Sequence, residues 1–296
     1  MEARARPGRG TRRTRGLDLA LVAALPGLLY LVAFVLVPLA VVAAYSMMTA
    51  APDGSIRPAL TLANYARALD PVYLAVLGRS LALAALTTLL CLAAAYPAAW
   101  AVRGASPRWR GPLLALVVIP SWMNLLVKNY AWIVLLRRNG VVNALLAGLG
   151  VIDEPLPLLF NTGAVLVGLV HSYLPFMVLP LYASLERLDW SLVEAARDLG
   201  AGSWQTFRRV VLPQTAGGAV AGATLVFIPA LGAFVTPDLL GGARTLMVGT
   251  LIENQVLQVR DWPFAAALAV LLGALVLAVA AVYRRFAAVP GQERLL

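Results

Sequence analysis

Apolar runs long enough to cross a bilayer recur six times along this chain, and that repetition narrows its possible folds more than any other feature. A spanning helix needs roughly 20 predominantly apolar residues. Stretches of this kind cover approximately Leu17–Ser46, Leu81–Ala101, Pro112–Leu136, Gly163–Leu185, Val210–Val235 and Phe264–Tyr283. Inside hydrocarbon every backbone N–H and C=O must find its partner within the protein, and a helix supplies all of them within one segment. Composition agrees: 61% of the residues are hydrophobic and 13% charged, whereas soluble domains carry about 25% charged residues. The expected fold is all-α, a polytopic membrane protein with six transmembrane helices.

Charge placement sets the expected topology. With the N-terminus inside, the inner segments hold 16 basic residues and the outer ones seven, Lys128 lying within the third run. Six of the inner arginines precede the first run (Arg4, Arg6, Arg9, Arg12, Arg13, Arg15). Acids divide evenly, seven to each side, so the excess positive charge is inside. Basic flanks stay cytoplasmic during insertion, so both termini are expected in the cytoplasm. The formal net charge of +10 is then a topology signal directed at anionic lipid, and no nucleic-acid partner is expected. The first run has a basic leader like that of a signal peptide. Its apolar stretch is about thirty residues long with no evident cleavage site, so it reads as a retained helix.

The expected organisation is an Arg-rich disordered arm at 1–16, a six-span domain at 17–286, and a short cytoplasmic tail at 287–296. Outside the membrane, Pro52-Asp53-Gly54 signals a turn, and Thr61 to Tyr65 suggests a short surface helix. The segment Asn139 to Asn161, rich in Gly, Pro and acids, reads as a loop. Cys91 is the only cysteine, so no intrachain disulfide is possible.

One polar, Arg-bearing interruption stands apart: Ser191 to Pro213, SLVEAARDLGAGSWQTFRRVVLP. It reads as two short helices joined by a glycine. Ser191 and Glu194 have capping-box spacing, Gly200 suits the left-handed position that ends a helix, and Ser203 is placed to cap the next. The pattern Glu194-Ala195-Ala196, then Gly200, then Val210-x-Leu212-Pro213 resembles the coupling loop of ABC-importer permeases. Further stretches are similar to the spermidine/putrescine branch of that family. They include Pro120 to Trp132, Tyr173 to Tyr182, Phe227 to Gly242, and Arg260-Asp261-Trp262-Pro263-Phe264.

That resemblance implies a type I importer permease fold and a cytoplasmic arm that docks on a separate ABC ATPase dimer. It also implies a second permease chain, an extracytoplasmic binding protein, and residence in the bacterial inner membrane. Glu194, Ala195, Ala196, Gly200, Leu212 and Pro213 would then transmit force without covalent chemistry. Opines, phosphonates and amino-acid-like solutes are alternative cargoes, and a non-transporting receptor or scaffold is the alternative class.

Residue inventory leads independently to a partner for the energy source. A P-loop needs Gly-Lys followed by Ser or Thr, but the sole lysine, Lys128, lies between Val127 and Asn129. If ATP drives the system, another subunit binds it, and this chain is expected to carry neither enzyme activity nor cofactor. The single histidine, His171, has no second imidazole or thiol nearby for zinc.

Intramembrane polar residues mark possible pathways. Lys128 either snorkels to the outer interface, pairs across a subunit boundary, or meets the cargo. Trp122, Tyr130 and Trp132 fit an interfacial belt or an aromatic wall for a cation. Asp238, Glu253 and Asp261, with Tyr173, are the candidate cation contacts of a polyamine path; ordinary loop salt bridges, such as Arg260 with Glu253, are the alternative. Pro175 and Pro180 are expected to kink their span.

Overall fold

A computed structural model describes residues 25–51, 54–242 and 245–287. The Arg-rich arm, the first eight residues of the first expected span, Pro52, Asp53, Arg244 and residues 288–296 lie outside these.

The described residues open with α1 (Leu25–Ser46) and a two-stranded antiparallel hairpin, β1 (Thr49–Ala50) with β2 (Ile56–Arg57), in which Thr49 faces Arg57. Gly54 turns this hairpin at φ +80°. Next come α2 (Ala63–Ala68), α3 (Pro71–Gly104), α4 (Pro107–Trp122), α5 (Leu125–Leu136), α6 (Val141–Gly148) and α7 (Thr162–Glu186). After these follow α8 (Trp190–Asp198), α9 (Ser203–Gln214), α10 (Ala216–Leu231), a π turn at Pro237–Gly241, α11 (Val248–Asn254) and α12 (Trp262–Ala287).

Helices α1, α3, α7 and α12 are each long and apolar enough to cross a membrane. The third and fifth expected spans are not single rods. The third breaks by 95° between α4 and α5, because Asn124 caps a new helix by accepting a bond from Leu126 N at 2.8 Å. The fifth breaks by 70° at Thr215, so Val210 to Gln214 end α9 and the membrane helix proper starts at Ala216. Hydropathy averages over both breaks, since one Asn or Thr among apolar neighbours hardly alters the mean. In α7, Pro175 and Pro180 are accommodated without interrupting the helix. The segment expected to be loop after Asn139 contains α6.

Helices α3, α7 and α10 form the packed centre. In lipid, helices gain little from hiding apolar surface and associate through close contact of small side chains. Along α3, Ala84, Cys91, Ala95 and Ala99 are fully buried. On α10, a Cβ at Gly222 would lie 2.7 Å from Met177 Sδ, and one at Gly218 would lie 2.5 Å from the Pro180 carbonyl oxygen. Only glycine permits that approach of α10 to α7. At one end, Arg67 of α2 binds Asp261 at 2.7 Å and lies 3.9 Å above the Phe264 ring, fastening α2 to α12. Ser80 Oγ accepts the Val248 N–H at 2.8 Å, tying α3 to α11.

Candidate functional site

The α8–α9 arm is built by local backbone chemistry. Its first helix is capped by Asp189, whose carboxylate accepts the Ser191 N–H at 3.0 Å. Those bonds from Ser191 hold the Asp189 carboxyl below the usual range. The Ser191–Glu194 capping box is therefore not the device used, because the helix begins two residues earlier than that box requires, at Trp190 with Asp189 as its N-cap. At the other end Gly200 adopts φ +82°. The Ala201 N–H reaches Ala196 O at 3.0 Å and the Gly200 N–H reaches Arg197 O at 2.8 Å, which is the paired closure of a Schellman turn. Helix α9 is preceded by Gly202 as its N-cap, and Ser203, expected to cap, is instead its first residue. A π turn, Phe207–Val211, widens its middle.

Aromatic contacts fix the arm to the C-terminal end of α3. The Tyr96 ring meets Phe207 edge-on at 5.3 Å, and Trp100 meets Trp190 at 5.5 Å. The Tyr96 hydroxyl lies 3.0 Å from Thr215 Oγ1, and Thr215 Oγ1 donates to Val211 O at 2.8 Å. The α9–α10 bend is thus bonded directly to α3. Arg103 stacks 5.0 Å over Trp190. Beneath the arm, Tyr96, Trp100, Trp204 and Phe207 help line a cavity of about 510 Å³.

The outward side of the arm is free. Glu194, Ala195, Leu212 and Pro213 are exposed and Ala196 is half-buried. Ala196 and Gly200 line a shallower groove of about 300 Å³ with Leu199, Gln205 and Arg209. Leu199 is 88% exposed and Trp204 70%, so the arm presents two large apolar knobs. The sequence reading did not single them out. The available signal was a Leu and a Trp set among glycines inside a polar interruption.

The remaining candidates do not form one cluster. Trp122 is exposed at the end of α4, beside the 95° break. Lys128, on α5, is 8% exposed, so it does not snorkel outward. Its helix turns Lys128 and Asn129 inward while Leu126, Val127 and Tyr130 face out. Trp132 packs edge-on against His171 at 5.7 Å, which removes it from an outward belt. Tyr173 donates to Pro229 O at 3.2 Å, bridging α7 and α10. Asp238, in the π turn, and Glu253, on α11, are brought within electrostatic reach of each other. Burial and then Asp238 push the Glu253 carboxyl above its usual range. Asp261 pairs with Arg67 and caps α12 through the Phe264 N–H at 3.1 Å. The salt bridge expected between Arg260 and Glu253 is not the one formed; Arg260 sits at φ +61° instead.

Residues 92–288, which contain the whole arm, match the binding-protein-dependent transport system inner membrane component family. The chain belongs to this family. It is an inner-membrane, multi-pass permease component. It is 45% identical over 243 residues to the spermidine/putrescine transport system permease protein PotB of Salmonella typhimurium strain SL1344, covering 82% of this chain and 85% of that one. With the protein of the same name from Escherichia coli K12 the identity is 44%, over 82% and 88% of the two chains. The fold matches a chain of a bacterial ABC transporter involved in the import of the acidic polysaccharide alginate. That match has a TM-score of 0.73 at 16% identity and covers 95% and 98% of the two chains. A chain of the MetNI methionine ABC transporter gives 0.52 at 18% identity, covering 72% and 94%.

Proposed function

We propose that this chain is one permease subunit of an ATP-driven importer for polyamines of the spermidine and putrescine type. An ABC ATPase dimer docks on the α8–α9 arm inside, a second permease chain completes the pathway, and an extracytoplasmic binding protein delivers the cargo. ATP resides in the ATPase, in keeping with a sequence whose sole lysine stands outside any P-loop context. Both termini lie in the cytoplasm, and the two bent pairs bring the spans to six.

The arm carries this reading. A capped, glycine-terminated pair of helices offers two exposed apolar knobs outward and is bonded inward to α3, so displacement at its surface is passed to the bundle through the Tyr96–Thr215 contact. The PotB relatives supply the cargo class. Polyamine ammonium groups favour carboxylates and aromatic faces, which places Asp238 and Glu253 first among the path residues. Trp122, Lys128, Tyr173 and Asp261 are secondary.

Uptake of radiolabelled spermidine by cells lacking their own polyamine importers, but expressing this chain with its three partners, tests the proposal. Saturable, ATP-dependent uptake is expected, and Gly200→Pro or Ala196→Glu abolishes it with the chain still inserted. Normal uptake by both variants overturns the coupling role. ATP turnover stimulated by the loaded binding protein, without spermidine uptake, overturns the cargo instead.

A further inference from the structure

Helix α6 is polar inside and apolar outside. Asn143 is its buried residue, 3% exposed. Its amide donates to Leu156 O at 3.0 Å and Arg137 O at 3.4 Å, and its carbonyl accepts the Leu156 N–H at 2.9 Å. These bonds fix the rotation of the helix by stapling it to the returning chain. The face that rotation turns outward bears Val141, Leu145 and Leu149, 50%, 60% and 76% exposed. Spaced four apart, they form one stripe along a helix about 12 Å long at 1.5 Å per residue.

A helix facing water would carry polar residues on that stripe, since exposed apolar area costs about 25 cal/mol per Å². Charge flanks the stripe instead. Arg137 and Arg138 are exposed immediately before α6, with no carboxylate among the described residues within 4.0 Å of either. Asp153 and Glu154 are exposed beyond it. The helix forms the last two turns of the bent apolar pair Pro107–Trp122 and Leu125–Gly148, so it closes a candidate span. An apolar stripe beside unpaired cations, at a span end, is the pattern of a helix lying in the headgroup boundary.

We infer that α6 is an interfacial anchor, its Val141–Leu145–Leu149 stripe against acyl chains and Arg137 and Arg138 against lipid phosphates. This inference depends on neither the cargo nor the coupling reading. It fits the bilayer better than a protein partner because two adjacent cations, unpaired among the described residues, complement lipid phosphate, while the exposed acids Asp153 and Glu154 lie beyond the other end of the helix.

Nitroxide labelling of Leu145→Cys, Leu149→Cys and Asp153→Cys tests it, in the full chain with Cys91 replaced by Ala, reconstituted in phosphatidylethanolamine and phosphatidylglycerol. At positions 145 and 149, collision with oxygen is expected to exceed collision with a water-soluble nickel chelate, and at 153 the order reverses. Nickel-favoured access at 145 and 149 overturns the anchor in favour of a water-facing helix. Exclusion of both reagents overturns it in favour of a protein-covered face. Should Ala at 91 prevent accumulation, Cys91 is retained and the parent chain without introduced cysteines serves as the labelling blank, since that thiol is buried.

Discussion

Two regions that meet at the Thr215 bend and at the aromatic contacts of α3 are held by opposite means. In the α3–α7–α10 centre, rigidity comes from side chains that are nearly absent: Gly218 and Gly222 let α10 approach α7 until backbone meets backbone. In the α8–α9 arm it comes from hydrogen bonds at helix ends and a few aromatic edges, with the outward side chains unconstrained. On the coupling role proposed above, the two act as lever and fulcrum, and the difference teaches that these need different chemistry. A fulcrum inside lipid must be close-packed, because dispersion and helix contact are what hold it. A lever in water keeps its backbone satisfied locally, which leaves its surface available for a partner.

The largest expected effect lies in the centre. Gly218→Leu forces a side chain into the Pro180 carbonyl, and overpacking of this sort typically costs about 1–3 kcal/mol or more. The chain should be lost from the membrane fraction, measured by quantitative immunoblot. Wild-type abundance would mean that α10 does not need the approach seen at Gly218. Gly200→Pro comes next and separates the regions: proline is confined near φ −65°, incompatible with +82°, yet the site is exposed. Membrane abundance should stay within error of wild type while uptake falls to background.

A third, intermediate effect probes the joint itself. Tyr96→Phe removes the hydroxyl contact to Thr215 while keeping the ring against Phe207. A net hydrogen bond contributes about 1 kcal/mol, so coupling measured as transport per ATP hydrolysed should fall about fivefold at most, with abundance unchanged. Unaltered coupling would move the transmission path elsewhere.

The smallest effect concerns the cap. Because hydrogen bonds from Ser191 depress the Asp189 carboxyl, its contribution is present above the unfolded-state value and fades as pH falls through the lower folded-state value. Asp189→Asn should retain uptake and show less loss on acidification, whereas Asp189→Ala should lower uptake modestly at neutral pH. Both are read from uptake into right-side-out proteoliposomes that hold the ATPase and ATP inside, with the lumen buffered at neutral and at acidic pH.

Much of this architecture was legible residue by residue. Long apolar runs leave the backbone no alternative to helix in hydrocarbon, so α1, α3, α7 and α12 follow from hydropathy. Gly200 was readable because only a left-handed closure makes sense of a glycine between two polar helices. The break at Met123–Asn124 was not, since an Asn can cap a helix or sit within one, and only the direction of the chain beyond it selects the cap. The same limit applies to Ser191 and Ser203, displaced as caps when their helices start two residues and one residue earlier.

What the sequence determined alone is the four unbroken apolar helices and the arm with its glycine turn, because both follow from solvation of the local backbone. Tertiary structure decided the rest: that Lys128 turns inward, that Asp238 comes within electrostatic reach of Glu253, that Asp261 takes Arg67, and that Tyr96 holds Thr215 across 119 residues of chain. Those pairings join elements distant in sequence. Side-chain type says which bonds a residue is able to make, and only the packing of helices says which partner comes within reach.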